Sequence, residues 1–471
     1  MLKPIRALPV AKLGFSAVLL ALCLPIAGAD ASLRQEIEAL FTVDARNQLV
    51  LDIEAAIAKA QAEEGVIPKS AAREIENKAH TDYAPAAEID KENDKVRHRM
   101  VALLNVWKRN LDTDAADFVH FGVTTVDIYD TVMMLQIDRT IDLLVADMRD
   151  LELALIDLSI EHKDTPMIGR TLGQHALPIS FGKKVSVWAA ANRRNIERLR
   201  EVQARLRRLG VLKGAVGTHL GLGPKGAAIE ARVSRSLGLS PPDPADWHGA
   251  RDVFAEYALT LGLMAKTYAA IGDEIFRLQM TDIGEVYERR SETAVGSSAM
   301  PHKRNPSRSE ALIHYGRTIP RKAEVLLDDV ENAFERDNTS RPNRVLEAIS
   351  MEAGEMVHDA LLLIDRLDVN ETAMAENLRK TDGMVMAQRI VLFLAPTLGR
   401  ENAEHKVRDA AARAIDTGTG FREALLDDED LAPLLANTID DLLDPKTYLG
   451  LAEEQVERTA AQLRREYDPA K

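Results

Sequence analysis

The stretch from Asp127 to Lys163 contains neither glycine nor proline. Apolar side chains recur through it at alternating spacings of three and four residues: Met134, Ile137, Ile141, Leu144, Met148, Leu151, Leu155 and Leu158. This 3.5-residue period is typical of long helices that pack side by side at shallow angles. A helix of this length would span about 55 Å. The stretch therefore predicts a bundle of long helices.

Four further stretches carry a similar pattern, at about residues 183–209, 251–280, 307–334 and 344–367. Because only 4% of the residues are aromatic, the core must be built mainly from Leu, Ile, Val, Ala and Met, which favours helices. The sequence predicts an all-α chain with an N-terminal helical domain over 32–123, a central bundle of five long helices over 124–375 and a C-terminal helical domain over 376–471. Apolar seams, the apolar faces along these long helices, favour burial against further copies of the chain when they are this long. We therefore expect a homo-oligomer; a monomeric bundle is the alternative.

The first thirty residues differ from the rest of the chain. Lys3, Arg6 and Lys12 precede the apolar stretch 13–26, and small residues spaced Ala-x-Ala follow. This order is typical of a secretory signal peptide, and the apolar stretch is too short for a comfortable membrane span. We predict a signal peptide over 1–31, a periplasmic or secreted protein, and no membrane association once the signal is removed. A misassigned start codon, and hence a cytoplasmic protein, is the alternative.

The charge balance restricts the partners. A net charge of −14 argues against nucleic acid, because phosphate binding needs a basic surface. A small anionic substrate fits this charge only if its pocket gathers cations locally. The histidines are scattered and Cys23 is the single cysteine, so the sequence suggests no metal site and no cofactor.

One loop concentrates reactive side chains. Residues 296–306 read GSSAMPHKRNP, with a glycine that lets the backbone turn and two serines directly after it. A Met-Pro bend then presents a histidine, a lysine and an arginine, and an asparagine follows. Hydroxyls, cations and an amide in this order suit a carboxylate-bearing substrate. A solvated basic loop before a helix that begins at Ser307 is the alternative.

This loop resembles the signature loop of the fumarase/aspartase superfamily, and its HKRNP ending is similar to the adenylosuccinate lyase and 3-carboxymuconate cycloisomerase branch. The resemblance extends over about residues 40–460. Further segments follow the family's order and spacing: 66–68, 120–127, 169–171, 214–218, 251–252 and 335–337. The resemblance implies three helical domains, a homotetramer with a core of twenty helices, and active sites shared between three subunits.

The resemblance also implies a reaction. Family members remove a proton from the carbon beside a carboxylate and then expel a nitrogen or oxygen leaving group. By the matching positions, Ser297 is the general base, activated as an alkoxide, and Lys303 and Asn305 hold the developing carboxylate charge. Ser298 is expected to bind the substrate as well.

Other matching positions imply the rest of the substrate site. Thr124 and Thr125 resemble the hydroxyl pair that receives a substrate carboxylate, and His120 close by is also expected to bind substrate. Capping of the long helix is compatible with the role of the threonines. The remaining expected substrate-binding residues are His98, Arg336, Arg344, Gln388 and Arg389. For His98, Gln388 and Arg389, an ordinary polar helix position is the alternative.

The sequence departs from adenylosuccinate lyases at Leu172, which stands where they carry the histidine that protonates the departing nitrogen. His175 could replace it as general acid. The cycloisomerases also lack that histidine and resemble the segment 443–450, whereas 335–340 is closer to the lyases. We predict a lyase that cleaves a C–N bond of an N-substituted aspartate and releases fumarate. A lactone-forming cycloisomerase is the first alternative, and a non-catalytic structural or binding homologue is the remote one.

Overall fold

The computed structural model describes residues 32–209, 212–245, 247, 250–289, 300, 302–337, 339 and 342–466. The predicted signal peptide over 1–31, Ser297 and Ser298 lie outside these residues. The described part is mainly helical, with four short strands, which confirms the all-α prediction.

The N-terminal part consists of one long helix and several short ones. The long helix α2 (Val43–Glu63) is buried along much of its length. It packs against α3 (Lys69–Asn77) and, from the next part of the chain, against α7 (Thr125–Glu161) and α9 (Gly226–Ser236). The helices of this part are α1 (Leu33–Leu40), α2 (Val43–Glu63), α3 (Lys69–Asn77), α4 (Ala86–Val96), α5 (Arg99–Lys108) and α6 (Thr113–Ala116).

Five long helices form the central part, as predicted. They are α7 (Thr125–Glu161), α8 (Phe181–Leu206), α10 (Asp252–Leu278), α11 (Ser307–Asp328) and α12 (Pro342–Asp365), with the shorter α9 (Gly226–Ser236) between α8 and α10. Helix α11 ends before the predicted residue 334. Its last residues include Asp328 and are followed by Asp329, and carboxylates are unfavourable at a helix C-terminus.

The predicted apolar seams form the core of this bundle. Ile141, Leu144 and Met148 of α7 are buried in one cluster with Leu261 and Met264 of α10. Helices α7, α10 and α12 begin at one end of the bundle, and α8 and α11 return to that end, so the connecting loops alternate between two ends. We call the end at which α7 begins the first end and the other the second end.

Two small antiparallel sheets lie at the second end. Strands β1 (Pro166–Thr171) and β2 (Gln174–Ser180) form a hairpin, and β3 (Val286–Glu288) pairs with β4 (Leu367–Val369). The sequence pattern predicted helices alone, so these strands were not expected. Leu172 and Gly173 form the turn with positive φ at both positions, the backbone that a two-residue hairpin requires.

The C-terminal part has its own apolar cluster, but its last helix returns to the central bundle. Leu463 of α19 is buried in the bundle core, and its carbonyl accepts a hydrogen bond from the Arg193 guanidinium at 2.9 Å. The helices are α13 (Glu371–Arg379), α14 (Ala387–Leu398), α15 (Arg400–Thr417), α16 (Phe421–Leu426), α17 (Ala432–Leu435), α18 (Ile439–Leu442) and α19 (Ala452–Glu466). The domain boundaries at 123 and 375 stay predictions. None of the helices described has the length and apolar character needed to cross a membrane.

Candidate functional site

A cavity of about 1050 Å³ lies at the first end of the bundle, between α2, α5 and the start of α7. Five residues predicted to bind substrate line it: His98, Thr124, Thr125, Arg336 and Arg344. They come from three separated segments of the sequence, and the fold brings them together in one chain.

His98 stands at the N-terminus of α5. Its Nδ1 accepts a hydrogen bond from the Val101 amide at 3.3 Å, so the imidazole caps the helix. The preceding residue, Arg97, ends α4 in the left-handed conformation with φ of 55°. This sharp change of direction between two helices places both side chains on the cavity wall.

Thr124 and Thr125 are held at the N-terminus of α7 by a buried carboxylate. Asp127 accepts the Thr124 amide at 2.8 Å, and its other oxygen accepts the amides of Lys213 and Gly214, both at 3.1 Å. Thr124 is the residue at the cap position and Thr125 the first helical residue. The capping role that the sequence suggested is therefore compatible with a cavity-lining position for both threonines.

The cavity carries more cations than carboxylates. Arg46, Arg99 and Arg251 also line it, but each is paired, with Glu347, Asp90 and Asp130 respectively. Within the described part of the chain, Arg97 and Arg336 have no carboxylate partner. Two uncompensated guanidinium groups beside two hydroxyls make a site suited to an anion with more than one charged group.

Sequence reasoning did not single out Arg46, Arg97, Arg99 or Tyr129, which line the same cavity. The two arginines that flank His98 were a visible signal, because a histidine between two cations is an unusual helix start. Arg46 offered no such signal, since it lies on a helix distant in sequence from the other site residues.

His120 is close in sequence to Thr124, which lines the cavity, but His120 itself does not line it. Its Nδ1 lies 2.6 Å from one oxygen of Glu54, and its backbone amide donates to the other oxygen at 3.0 Å. The residue has a φ of 62°, in the left-handed region. The structure thus ties His120 to helix α2 instead of presenting it to the cavity.

Lys303, Asn305 and His175 lie at the opposite end of the bundle. The guanidinium of Arg304 lies 5.5 Å from the ring centre of Tyr287 in β3, which follows α10. The β1–β2 hairpin that carries His175 is joined to the same region by a bidentate ion pair between Arg170 and Glu285. One chain therefore places residues 302–306 and the hairpin at the same end of the bundle, away from Thr124 and Thr125.

The separation between the cavity residues and the residues at the second end follows from the length of the helices. Helix α7 has 37 residues and α10 has 27, so they span about 55 Å and about 40 Å at the rise of an α-helix. Arg251, on the cavity wall, immediately precedes α10, whereas Tyr287 follows its far end. A single chain cannot bring Lys303 to the cavity that its own Thr125 lines.

His175 was the candidate general acid. Its Nδ1 is buried and has no hydrogen-bond partner within the described residues. Burial lowers the pKa of His175, and the positive charges of Arg170 and Lys380 lower it further. The lowered pKa biases the imidazole towards its neutral form, so within the single chain a smaller fraction of His175 carries the proton that a general acid donates.

Arg389 and Gln388 lie at the start of α14. The Arg389 guanidinium donates to the Asp441 carbonyl and to the Thr447 hydroxyl, both at 2.7 Å, and lies over the Tyr448 ring. In this chain Arg389 therefore connects the C-terminal helices.

No group of three or more His, Cys, Asp and Glu side chains arranged to hold a metal ion occurs in the part of the chain that the structure describes.

Comparison with known proteins gives two family matches. Residues 32–320 match the model described as lyase, and residues 383–459 match adenylosuccinate lyase C-terminus. The chain is 35% identical to the adenylosuccinate lyase of Methanocaldococcus jannaschii over 88% of this chain and 91% of the relative. It is 32% identical to the N-acetyl-S-(2-succino)cysteine lyase of Enterococcus italicus over 90% of this chain and 94% of the relative.

A solved structure shares the whole architecture. The 3-carboxy-cis,cis-muconate lactonizing enzyme from Pseudomonas putida superimposes with a TM-score of 0.83 and 30% sequence identity, covering 91% of this chain and 97% of that one. The matches extend from the N-terminal helices to the last ones and include the segment that contains the signature loop. The chain therefore belongs to the fumarase/aspartase superfamily, an enzyme family of lyases and cycloisomerases, within its adenylosuccinate lyase and 3-carboxymuconate cycloisomerase branch.

Proposed function

We propose that this protein is a lyase that releases fumarate from an N-substituted aspartate. The observation that carries the proposal is the cavity at the first end of the bundle, where Thr124 and Thr125 stand beside Arg97 and Arg336. The hydroxyl pair suits one carboxylate of the succinyl group. The two arginines suit a second anionic group on the same substrate.

The proposed reaction is a β-elimination. Ser297, as alkoxide, removes the proton from the carbon next to one carboxylate, and Lys303 and Asn305 stabilise the charge that develops there. The electron pair of that C–H bond then forms the carbon–carbon double bond. The bond to nitrogen breaks, and the amine leaves with its electron pair and takes up a proton from water. The proton on Ser297 passes to solvent afterwards, which restores the alkoxide. Ser298 is proposed to bind the substrate beside the base.

We also propose that the active site is assembled in a homotetramer. Lys303 of the signature loop and the threonine pair lie at opposite ends of one bundle. The loop to which Ser297 belongs can therefore meet a substrate held by Thr125 only if the two come from different chains. Exposed leucines support such assembly: Leu259 and Leu263 of α10 form an apolar groove with Leu327 and Val330 at the end of α11. A groove of this kind on long helices suits the same helices of another copy.

A sulfur leaving group is the second candidate. Leu172, which occupies the position of the expected proton donor, is 100% exposed at the hairpin turn and carries no proton to donate. A thiolate departs at neutral pH far more readily than an unprotonated amine, because thiols have a pKa of about 8.5. The relative named for N-acetyl-S-(2-succino)cysteine supports this alternative.

Lactone formation from a carboxylated muconate is the third candidate. It uses the same carbanion-type intermediate, and the lactonizing enzyme from Pseudomonas putida shares the architecture over nearly its whole length. A leaving group is not needed in that reaction, so the absence of a proton donor at residue 172 is compatible with it.

One substrate screen separates these candidates. The purified chain is incubated with adenylosuccinate, a non-phosphorylated N-substituted aspartate, an S-(2-succino)cysteine derivative and 3-carboxymuconate, and fumarate and lactone are quantified. We expect fumarate from an N-substituted aspartate. Fumarate only from the thioether would favour C–S cleavage, lactone would favour the cycloisomerase, and no product from any of them would contradict the proposal. Ser297→Ala should reduce turnover of the true substrate by several orders of magnitude, about a thousandfold or more.

We propose export of the mature protein, starting near residue 32, on the basis of the sequence of its first residues. N-terminal sequencing of the protein from its native host tests this. A mature protein that begins near Asp30 or Ser32 in the periplasm or medium is the expected result. Retention of the first thirty residues in the cytoplasm would contradict it.

A further inference from the structure

Helix α2 carries three buried polar side chains at a spacing of seven residues: Asn47, Glu54 and Gln61. Seven residues are close to two helical turns, so the three lie along one face. Asn47 lines the cavity. Glu54 and Gln61 instead bind two successive residues of the segment that leads into α7, namely His120 and Phe121.

Glu54 holds both the backbone and the side chain of His120. One oxygen accepts the amide at 3.0 Å, and the other lies 2.6 Å from Nδ1. The Glu54 side chain is only 1% exposed, against 21% for His120. These contacts therefore stabilise the Glu54 charge, because water does not reach it. His120 has a φ of 62°, which is unfavourable for a residue with a side chain and persists only where its surroundings enforce it.

The residues between His120 and Thr124 have little freedom to absorb a change. Gly122 passes so close to the loop after α8 that a Cβ added to it would lie 2.5 Å from the Gly221 carbonyl oxygen. Gln61 donates to the Phe121 carbonyl at 2.7 Å, and Asp127 accepts the Thr124 amide. Because the turn is fixed at each of these points, a displacement of His120 would also displace the two threonines.

We propose that Glu54 is a positioning residue that acts through His120, and that its carboxylate sets the turn that presents Thr124 and Thr125 to a substrate carboxylate. The inference rests on the proposed function for the identity of that ligand. It assigns His120 an anchoring role, with no requirement that the imidazole touch the substrate.

Three variants of the full-length chain test this, with a matched control. Glu54→Gln removes the charge and can accept only one of the two hydrogen bonds. His120→Ala removes the side-chain contact, whereas His120→Asn keeps a donor for Glu54 and tolerates the left-handed backbone. Glu92→Gln is the control, because Glu92 is also a buried carboxylate of the N-terminal part, bonded to Asn105 at 3.1 Å and to Arg109, and it does not line the cavity.

Two readouts are needed. Hydrogen exchange of peptides that cover 117–126 should be faster in Glu54→Gln and His120→Ala than in the wild type, and unchanged in Glu92→Gln. Fumarate binding by calorimetry should weaken by about tenfold in the first two variants, which corresponds to 1.4 kcal/mol. The His120→Asn variant should recover most of the affinity. With the true substrate, the loss should appear mainly as a higher KM.

The two readouts distinguish failure of the inference from failure of the proposed function. Unchanged exchange over 117–126 in Glu54→Gln overturns the inference, whatever the ligand result. Faster exchange with unchanged affinity, in a wild type that binds fumarate, overturns it as well. A wild type that does not bind fumarate overturns the proposed function, and the exchange result alone then decides whether Glu54 positions the turn.

Discussion

Glu288 caps helix α11 through Ser309. One carboxylate oxygen of Glu288 accepts the Ser309 amide at 3.0 Å and the Ser309 hydroxyl at 2.7 Å, and the other accepts the Arg308 amide at 3.0 Å. Pro306, at the cap position, provides no capping side chain. A carboxylate from β3 thus satisfies the free amides of a helix that directly follows the signature loop.

Replacement of Glu288 should therefore affect both stability and the loop. We expect Glu288→Ala to lower the free energy of unfolding by about 1–2 kcal/mol, because two helix amides lose their acceptor. We also expect slower turnover, since Lys303 lies just before the uncapped helix start. Urea unfolding and initial rates measure the two effects.

Ser309→Ala is the matched control for this prediction. It removes the hydroxyl contact but leaves both amide contacts with Glu288, so its loss of stability should be clearly smaller. Equal losses in the two variants would show that the carboxylate does not act as a cap.

Asp52 should make stability fall as the pH rises. Burial raises the pKa of this carboxyl to about 6, although Gln48 and His80 oppose the shift. The folded chain then binds more protons than the unfolded chain between about pH 4 and pH 6, so the free energy of unfolding decreases across that window. Above it the full penalty is present, up to about 3 kcal/mol at 1.36 kcal/mol per pKa unit.

Asp52→Asn tests this because asparagine resembles the protonated acid. The variant should be more stable than the wild type at pH 7.5, and the difference should shrink towards pH 4.5. Urea midpoints at the two pH values measure it. An Asp52→Asn variant that is less stable at pH 7.5 would contradict the assigned shift.

The long helices could be predicted because their physical signal is local. The 3.5-residue period of α7 and the absence of breakers defined it to within two residues at each end. The β1–β2 hairpin could not be predicted in the same way, because Leu172 is an unusual residue for a turn that needs positive φ and Asn or Gly would have been the signal.

The site residues could be predicted from their match to the family's positions, but their location could not. The resemblance implied that His98, Thr124, Thr125, Arg336 and Arg344 bind substrate, and these five line one cavity. The sequence alone did not show that Lys303 and Thr125 lie at opposite ends of the same bundle. That separation depends on the direction of each helix, which sequence periodicity does not contain.

A charge in the apolar groove of α10 should prevent assembly. Leu263 is 48% exposed on this helix, and Leu263→Lys would place a charge against the second copy proposed to cover it. We expect a smaller species in size-exclusion chromatography with light scattering, and lost activity at unchanged helix content. Ile415→Lys is the control, because Ile415 is 69% exposed on α15 and should assemble normally. Assembly of Leu263→Lys like the wild type would place the interface elsewhere.

Two inactive variants should restore activity when they share an oligomer. Thr125→Ala damages the site at the first end of each chain, and Ser297→Ala damages the signature loop, whose Lys303 lies at the second end. If every active site joins these ends from two different chains, random mixing at equal amounts leaves about a quarter of the sites with both residues intact. Co-expression of the two variants with different tags, followed by purification through both tags, gives the mixed oligomer for the assay.

The control for complementation uses two changes in the same loop. Ser297→Ala and Lys303→Ala both lie in the segment that one chain supplies, so mixing them should give every site at least one damaged residue. We expect no recovery from that pair and recovery towards a quarter of the wild-type rate from the Thr125 and Ser297 pair. Two results would contradict the prediction: equal recovery of activity in both mixtures, or no recovery in either mixture although mixed oligomers are proven to form. Either result would mean that Thr125 and Ser297 of one active site do not come from different chains.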